Sequence, residues 1–296
     1  MSDERRQDRV DSMSWALDEL ADGWTLLLTR EAFFGARRFG EFVAGLDAPR
    51  ARISERLGRL VSSGCMDRLA DEGNDARPEY RLARKGRGLY PLALALLEWG
   101  SVYTAAKPTT LFHRTCGAPL RIQCRCASCN EHIEPRSVSW SDSIASSMTS
   151  DKRRRLPDVS ALSKRDEPVG AAISMIGDRW SAGTVVVLLS GPRTYSVLRA
   201  RLGASTNILA DRLRRLVAEG IVVRPEHSRG TYRLSHAGQA LAPVAYLLAT
   251  WALLWAPDDV GLRHAGHHAC GSPLAVVAVC ASCGAPVKTR DVAIVG

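Results

Sequence analysis

One short ligand pattern is written twice in this chain, and so is the text that leads up to it. His113-x-x-Cys116 is followed after nine residues by Cys126-Ala127-Ser128-Cys129, and His267-x-x-Cys270 after nine residues by Cys280-Ala281-Ser282-Cys283. Upstream, Ala21-Asp22-Gly23-Trp24 matches Gly177-Asp178-Arg179-Trp180, and Arg56-Leu57-Gly58-Arg59-Leu60-Val61 matches Arg212-Leu213-Arg214-Arg215-Leu216-Val217. Glu79-Tyr80-Arg81-Leu82 matches Thr231-Tyr232-Arg233-Leu234, and Trp99 matches Trp251. A repeat this long is not a solenoid unit of a few tens of residues. It is a duplicated domain, so what one copy does the chain does in two places.

The length of 296 residues suits two domains, each large enough for a core of its own. A net charge of +9 favours a polyanionic partner over an acidic one. Nearly all of the positive charge is arginine, whose planar fork suits phosphates and guanine edges, although a GC-rich genome would give the same bias. The sequence reading finds no membrane span of roughly 20 apolar residues and no signal peptide at Met1-Ser2-Asp3-Glu4-Arg5-Arg6-Gln7. The expected location is cytoplasmic. Most of the eight cysteines sit as C-x-x-C beside histidine, which reads as metal ligation rather than a disulfide framework.

Apolar spacing in the first copy predicts helices at Trp15–Leu20, Thr25–Phe34 (stopped by Gly35) and Arg37–Val43, with a fourth marked by Ile53, Leu57, Leu60 and Val61 and ended by Gly64. Strands are expected at Cys65–Leu69 and Glu79–Ala83 around a polar loop, Asp71–Pro78, before a long apolar helix from Leu89 to Val102. The second copy repeats the order, with helices from Val169, Ser181, Thr194 and Thr206, a shorter hairpin, and a last helix from Ala240 to Trp255. The predicted fold class is mainly α with small β hairpins, as two tandem winged helix-turn-helix domains at 1–112 and 166–262. Small cysteine/histidine tails of zinc-knuckle type follow at 113–136 and 263–296. The serine- and charge-rich stretch 137–165, with Lys152-Arg153-Arg154-Arg155, is too poor in apolar residues to order itself and reads as a linker.

These segments resemble the HxlR family of bacterial winged-helix transcription regulators. In copy two the likeness lies in Glu167-Pro168-Val169 through Ile176-Gly177-Asp178-Arg179-Trp180, Gly191-Pro192-Arg193-Thr194-Tyr195, and Asn207-Ile208-Leu209 through Leu216. In copy one it lies in Gly35-Ala36-Arg37-Arg38-Phe39-Gly40-Glu41-Phe42 and Glu79-Tyr80-Arg81-Leu82-Ala83-Arg84-Lys85-Gly86. The resemblance implies homodimers that place one recognition helix per subunit in the major groove, so two copies on one chain imply a fused dimer. Where many members carry a cysteine before the first helix, this chain has Asp11 and Glu167, and redox sensing is not implied. Ala21-Asp22-Gly23-Trp24 also departs from the family's glycine-aspartate-arginine-tryptophan.

If Ile53, Leu57, Leu60 and Val61 are the buried stripe of the fourth helix, its arginines turn to solvent or to the flanks. Arg50 and Arg52, near its N-terminus, are the expected base readers; Arg37 and Arg38 are expected on phosphates, and Arg56 joins the DNA-binding set. In copy two Thr206 is expected to cap the recognition helix and Asn207 to suit adenine, with Arg193, Arg212 and Arg214 on phosphates. Arg77 and Arg229, at the hairpin tips, would be wing contacts. The alternative is that these are solvated helix arginines. Trp24, Trp180, Trp99 and Trp251 read as core.

Histidine and cysteine pairs joined by a short loop supply four ligands for tetrahedral zinc. The expected sites are one per tail: His113, Cys116, Cys126 and Cys129, then His267, Cys270, Cys280 and Cys283, giving two structural zinc ions per chain. Small hairpins at Leu120–Cys124 and Leu274–Val279 would join the pairs. Cys124 becomes Ala278 and Cys65 becomes Ile221 in the repeat, so neither is counted as a ligand, and only the repeat register selects His267 over His264 and His268.

The expected function is a sequence-specific DNA-binding transcription regulator, a repressor acting as a single-chain pseudo-dimer. The alternative is a protein-interaction scaffold that keeps the fold without DNA reading. No acid–base pair, nucleophile constellation or phosphate loop points to an enzyme. The expected partners are double-stranded DNA and a small-molecule effector of unidentified chemistry, with no membrane, and the chain as a monomeric pseudo-dimer or a homodimer.

Overall fold

The computed structural model describes residues 12–20, 22–46, 48–71, 74–140, 167–224, 226–227, 230–257, 260, 266–267 and 269–295. Asp11, the basic run at 152–155, His264, His268 and Arg229 lie outside them, as do the side chains of Arg77 and His267. The described chain is mostly helical with small antiparallel sheets. Copy one runs α1 (Ser12–Leu20), α2 (Gly23–Phe33), α3 (Phe39–Leu46), α4 (Arg50–Ser62), β1 (Met66–Asp71), β2 (Asn74–Leu82), α5 (Arg84–Arg87) and α6 (Tyr90–Tyr103). Its tail holds β3 (Thr110–His113), β4 (Ile122–Cys126) and β5 (Val138–Ser139). Copy two runs α7 (Pro168–Ile176), α8 (Arg179–Leu189), β6 (Arg193–Thr194), α9 (Tyr195–Leu202), α10 (Thr206–Ala218), β7 (Val222–Val223), β8 (Thr231–Leu234), α11 (His236–Gln239) and α12 (Ala242–Trp255). Its tail holds β9 (Gly266–His267), β10 (Val276–Cys280) and β11 (Val292–Val295).

Within each copy the sequence signals act locally. Ile53, Leu57 and Leu60 of α4 are buried, as are Leu209, Leu213 and Leu216 of α10, each such side chain contributing about 1.5–3 kcal/mol on leaving water. Both helices end in a left-handed glycine, Gly64 at φ +73° and Gly220 at φ +68°. The N–H groups of Gly64 and Cys65 return to Val61 and Leu60, and those of Gly220 and Ile221 to Val217 and Leu216, which closes each helix and aims the chain into the hairpin. The copy-one hairpin is longer than its composition suggests. Its pairing runs from Met66↔Leu82 to Asp71↔Asn74 with an irregularity between Leu69 and Asp71, so strand occupies what reads as a loop at Asp71–Pro78. An exposed two-stranded ribbon needs backbone pairing, not apolar side chains, and polar composition hides it.

The copies exchange their outer helices. α1 packs on α12 and α8, α7 packs on α6 and α2, and α6 meets α12. Arg30 pairs with Glu167, and Arg179 with Asp18, each bridging the two copies. The indole N–H of Trp99 donates to the Ala237 carbonyl at 2.8 Å, and that of Trp251 to the Lys85 carbonyl at 3.0 Å. These tryptophans are buried, as the repeat implies, and they also tie equivalent points of opposite copies. Glu167, which stands where the family's cysteine is expected, caps α7 by accepting from the Gly170 N–H at 3.1 Å. Within the 20 residues His236–Trp255 an 18-residue window reaches a mean hydropathy of 1.4, which meets a membrane span by length and composition where the sequence reading expects none. Half of that stretch is buried inside the protein, where Leu247, Trp251 and Ala252 belong to the shared core.

Among the described residues, pairing within each tail is limited to isolated bridges, such as Phe112 with Pro119, Arg125 with His132 and Val279 with Pro286, and the strand ladders run between the copies. β3 pairs with β11, β4 with β10, and β5 with β9, so each of these tail strands finds its partner in the other copy. The hairpins expected at Leu120–Cys124 and Leu274–Val279 are replaced by the β4–β10 ladder, in which Cys124 faces Ala278. A strand pair between copies gives the same backbone hydrogen bonds as a local hairpin, and local spacing cannot distinguish them. Because β5 and the buried Trp140, stacked on Tyr246, belong to this assembly, the linker begins later than residue 137.

At Gly100 of α6 an added Cβ would lie 2.1 Å from the Pro168 carbonyl oxygen of α7. Gly100→Ala should therefore cost about 1–3 kcal/mol of stability by overpacking. Thermal unfolding checks this, and an unchanged midpoint would show that α6 and α7 do not approach so closely in solution.

Candidate nucleic-acid interface and metal centres

Each copy holds α2–α3–α4 or α8–α9–α10, with the last helix pinned by an aspartate that starts the first. Asp22 caps α2 by accepting from the Trp24 N–H at 3.2 Å, and its other oxygen is ion-paired with Arg56 of α4 at 3.0 Å. Asp178 caps α8 by accepting from Trp180 and Ser181 N–H groups at 3.0 and 3.1 Å, and takes the Arg212 Nε of α10 at 3.1 Å. The two aspartates meet in an antiparallel backbone bridge. Arg56 and Arg212 are thus held inside the protein, with only 16% and 8% of their side chains exposed, in place of the DNA contacts expected of them. Helical phase predicts a flank for them; it does not predict that a capping carboxylate waits there.

Other expected contacts divide by where their guanidinium groups point. Arg37 donates to the carbonyls of Ala32 and Ala36 at 2.7 and 2.8 Å, and Arg193 to those of Pro192 and Ser190 at 2.9 and 3.2 Å. Both close the end of the first helix of their unit. The N–H groups of Arg37 and Arg38 bind the Glu41 carboxylate at 2.6 and 2.9 Å, and these bonds hold its pKa below the ordinary carboxylate value. Arg38 is half exposed and lies 3.8 Å from Glu79. Arg50 is exposed, its guanidinium 5.2 Å from the Phe39 ring, while Arg52 turns back over Trp24 at 5.4 Å. In α10 Ser205, not Thr206, is the cap, accepting from the Ile208 N–H at 3.4 Å. Thr206 instead bonds Arg199 at 3.4 Å through its hydroxyl; Asn207 is exposed, and Arg214 is 74% exposed beside Asp211. The exposed face of α4 carries Glu55 and Arg59, which helical phase already turns to solvent or the flanks, and adds Ala51 and Ser54, which the sequence reading passed over in favour of the longer charged side chains.

All eight cysteines are free of disulfides. Among the described residues two groups bring ligand atoms within 4.8 Å of one another, and neither is the set expected from one tail. His113 and Cys116 of copy one meet Cys280 and Cys283 of copy two, and Cys126 and Cys129 of copy one meet Cys270 of copy two. The cause is the strand exchange: in the β4–β10 ladder Cys126 lies opposite Val276 and Cys280 opposite Ile122, so each C-x-x-C turn is carried over to the other copy's H-x-x-C turn. Each turn has its own local frame. Gly117, Asn130, Gly271 and Gly284 follow the four pairs, all in the left-handed region at φ +60° to +71°. Burial works to raise the Cys280 thiol, but N–H groups of Cys283 and Ser282 and the neighbouring thiols outweigh it and hold it below its ordinary value. Cys124 is the opposite case. Burial first, then the Glu98 charge, pushes it up to about 12, as suits an inert core thiol.

Two helix-turn-helix units, each followed by a hairpin, place the chain among helix-turn-helix proteins. It belongs to the HxlR-like helix-turn-helix family, which it matches over residues 19–108 and 175–260, more than half of its length. It is 39% identical over 132 residues to the uncharacterized HTH-type transcriptional regulator Rv3095 of Mycobacterium tuberculosis, a match covering 44% of this chain and 84% of the relative. It is 37% identical over 89 residues to the uncharacterized HTH-type transcriptional regulator YvaP of Bacillus subtilis, covering 28% of this chain and 82% of the relative. Under half of this chain thus spans most of each relative. The crystal structure of PA1607 is 36% identical and covers 42% of this chain and 89% of its own, with a TM-score of 0.38.

Arg212→Met should lower stability by about 3–5 kcal/mol, because it leaves the Asp178 carboxylate partly buried without its cation. The salt dependence of nucleic-acid binding by the folded protein should not change. A salt slope lower by about one with unaltered stability would instead return Arg212 to a phosphate contact.

Proposed function

We propose that the protein is a sequence-specific, double-stranded-DNA-binding transcription regulator, a repressor that acts as a single-chain pseudo-dimer rather than as an enzyme. One observation carries the reading: two recognition helices, held by the same aspartate–arginine clamp, present unlike residues to solvent. α4 offers Arg50, Ala51, Ser54 and Glu55, and α10 offers Thr206, Asn207 and Arg214. Arginine near the N-terminus of α4 suits a guanine edge, and the Asn207 amide suits adenine. Arg38 and Arg214 suit phosphates, and Arg77 and Arg229 suit the backbone beside the groove. The relatives' names as transcriptional regulators support the same class. Such a protein works in the cytoplasm, where bacterial DNA lies.

On this reading the functional units are the winged domains at 1–112 and 166–262. The Cys/His tails are structural zinc sites, two per chain, with His113, Cys116, Cys126, Cys129, His267, Cys270, Cys280 and Cys283 as ligands. Cysteine thiolates with histidine make a closed four-ligand set suited to a structural rather than a catalytic ion.

Binding-site selection followed by footprinting tests the reading. One chain should cover two unlike half-sites whose centres lie about 34 Å, one helical turn, or a multiple apart. Arg50→Ala should relax base preference in one half-site alone, by about 1–3 kcal/mol. A palindrome with one chain on each half overturns the pseudo-dimer, and binding that ignores salt overturns DNA recognition in favour of a scaffold.

A further inference from the structure

We infer that the two metal ions are shared between the repeats, each held by one H-x-x-C turn from one copy and one C-x-x-C turn from the other, so that the metal is a clasp across the pseudo-dimer. The inference deepens the zinc reading above and rests on it for the identity of the ion. In the first site the Cys116 and Cys280 sulfurs lie 3.9 Å apart, and His113 Nδ1 lies 3.4 Å from Cys116 and 3.3 Å from Cys283. In the second the Cys126 and Cys270 sulfurs lie 3.7 Å apart. A tetrahedral zinc with Zn–S near 2.3 Å and Zn–N near 2.0 Å requires ligand-to-ligand edges of roughly 3.5–3.8 Å. The side chains already stand near those separations.

The first site also shows a polar group in need of a partner. His113 is fully buried, and the partners its Nδ1 finds are the sulfurs of Cys116 and Cys283, which are weak hydrogen-bond groups but good co-ligands. The repeat register adds His267 to the second site, as His113 serves the first, completing Cys126, Cys129, His267 and Cys270. The strand ladders repeat the exchange on both sides: His113 lies opposite Val292 of β11, and His267 opposite Val138 of β5. Each site therefore sits where backbone from both copies is already joined. A four-ligand ion placed there closes a loop of chain through the other copy, and loss of the metal should loosen the joined tails first, while the exchanged helices still hold the copies together.

Zinc content of full-length variants decides between shared and separate sites. Wild-type protein purified without chelator should hold close to two zinc per chain. Replacing His113→Ala, Cys116→Ser, Cys280→Ser and Cys283→Ser together empties one shared site and should leave one zinc, whereas separate tail sites would both be crippled and leave none. Replacing His113→Ala, Cys116→Ser, Cys126→Ser and Cys129→Ser should leave none, whereas separate sites would leave one. The second pattern in either variant overturns the inference, and zinc-free wild-type protein overturns the zinc reading.

A measurement on the wild-type sequence guards against variants that fail to fold. Chelated protein is treated briefly with diamide, which takes two protons and two electrons from a thiol pair to form a disulfide and is itself reduced to the hydrazine. Peptide mapping should find Cys116–Cys280 and Cys126–Cys270 bridges between the copies. Bridges confined to Cys116–Cys126 and Cys270–Cys280 overturn the shared arrangement whether or not metal binds.

Discussion

The backbone bridge between Asp22 and Asp178 is the point on which the two halves turn. Each aspartate does three things at once. Its main chain touches the other copy, one carboxylate oxygen caps the first helix of the unit, and the carboxylate holds an arginine from the recognition helix. The charge on a buried arginine would be costly without that partner. Because the partner is also the contact between copies, the attitude of α4 is tied to that of α10 through two short side chains. Arg30–Glu167, Arg179–Asp18 and the two tryptophan hydrogen bonds surround this point, so rotation of one unit against the other would break several buried pairs together.

The sequence made the helical part of this arrangement legible. Ile53, Leu57 and Leu60 repeat at helical spacing, and Gly35 and Gly64 mark helix ends, because these signals act within a few residues of themselves. The site was legible in composition and not in partnership. The eight ligand candidates were visible as types and spacings, but which four meet depends on strand pairing between residues far apart, and a ladder leaves no trace in local spacing. The DNA-facing set failed in the same way at Arg56 and Arg212. Their phase on the helix was read correctly, but besides the adjacent Glu55 and Asp211 each meets a capping carboxylate, Asp22 or Asp178, that lies over thirty residues away in the chain.

The likeness between the copies makes their differences informative. Copy one has the long hairpin and an arginine-rich start to α4; copy two has a short hairpin and a serine cap before Thr206 and Asn207. In a symmetric dimer any change appears on both sides of the axis. In one chain each side changes alone, and Cys124 facing Ala278 in the central ladder shows this even in the core.

The strand exchange also bears on how the chain comes to be folded. β3, complete at His113, pairs with β11 of the second copy, and β4 waits for Cys280. As the protein emerges from the ribosome its first half presents unpaired strand edges and free thiols until the strands of the second copy have been made. Contacts so distant in sequence are slow to form, and waiting edges invite the wrong neighbour. A second nascent chain on the same message would offer those edges an identical partner. Covalent connection of the two copies therefore acts on rates as well as on affinity, by keeping the correct half nearer than any stranger.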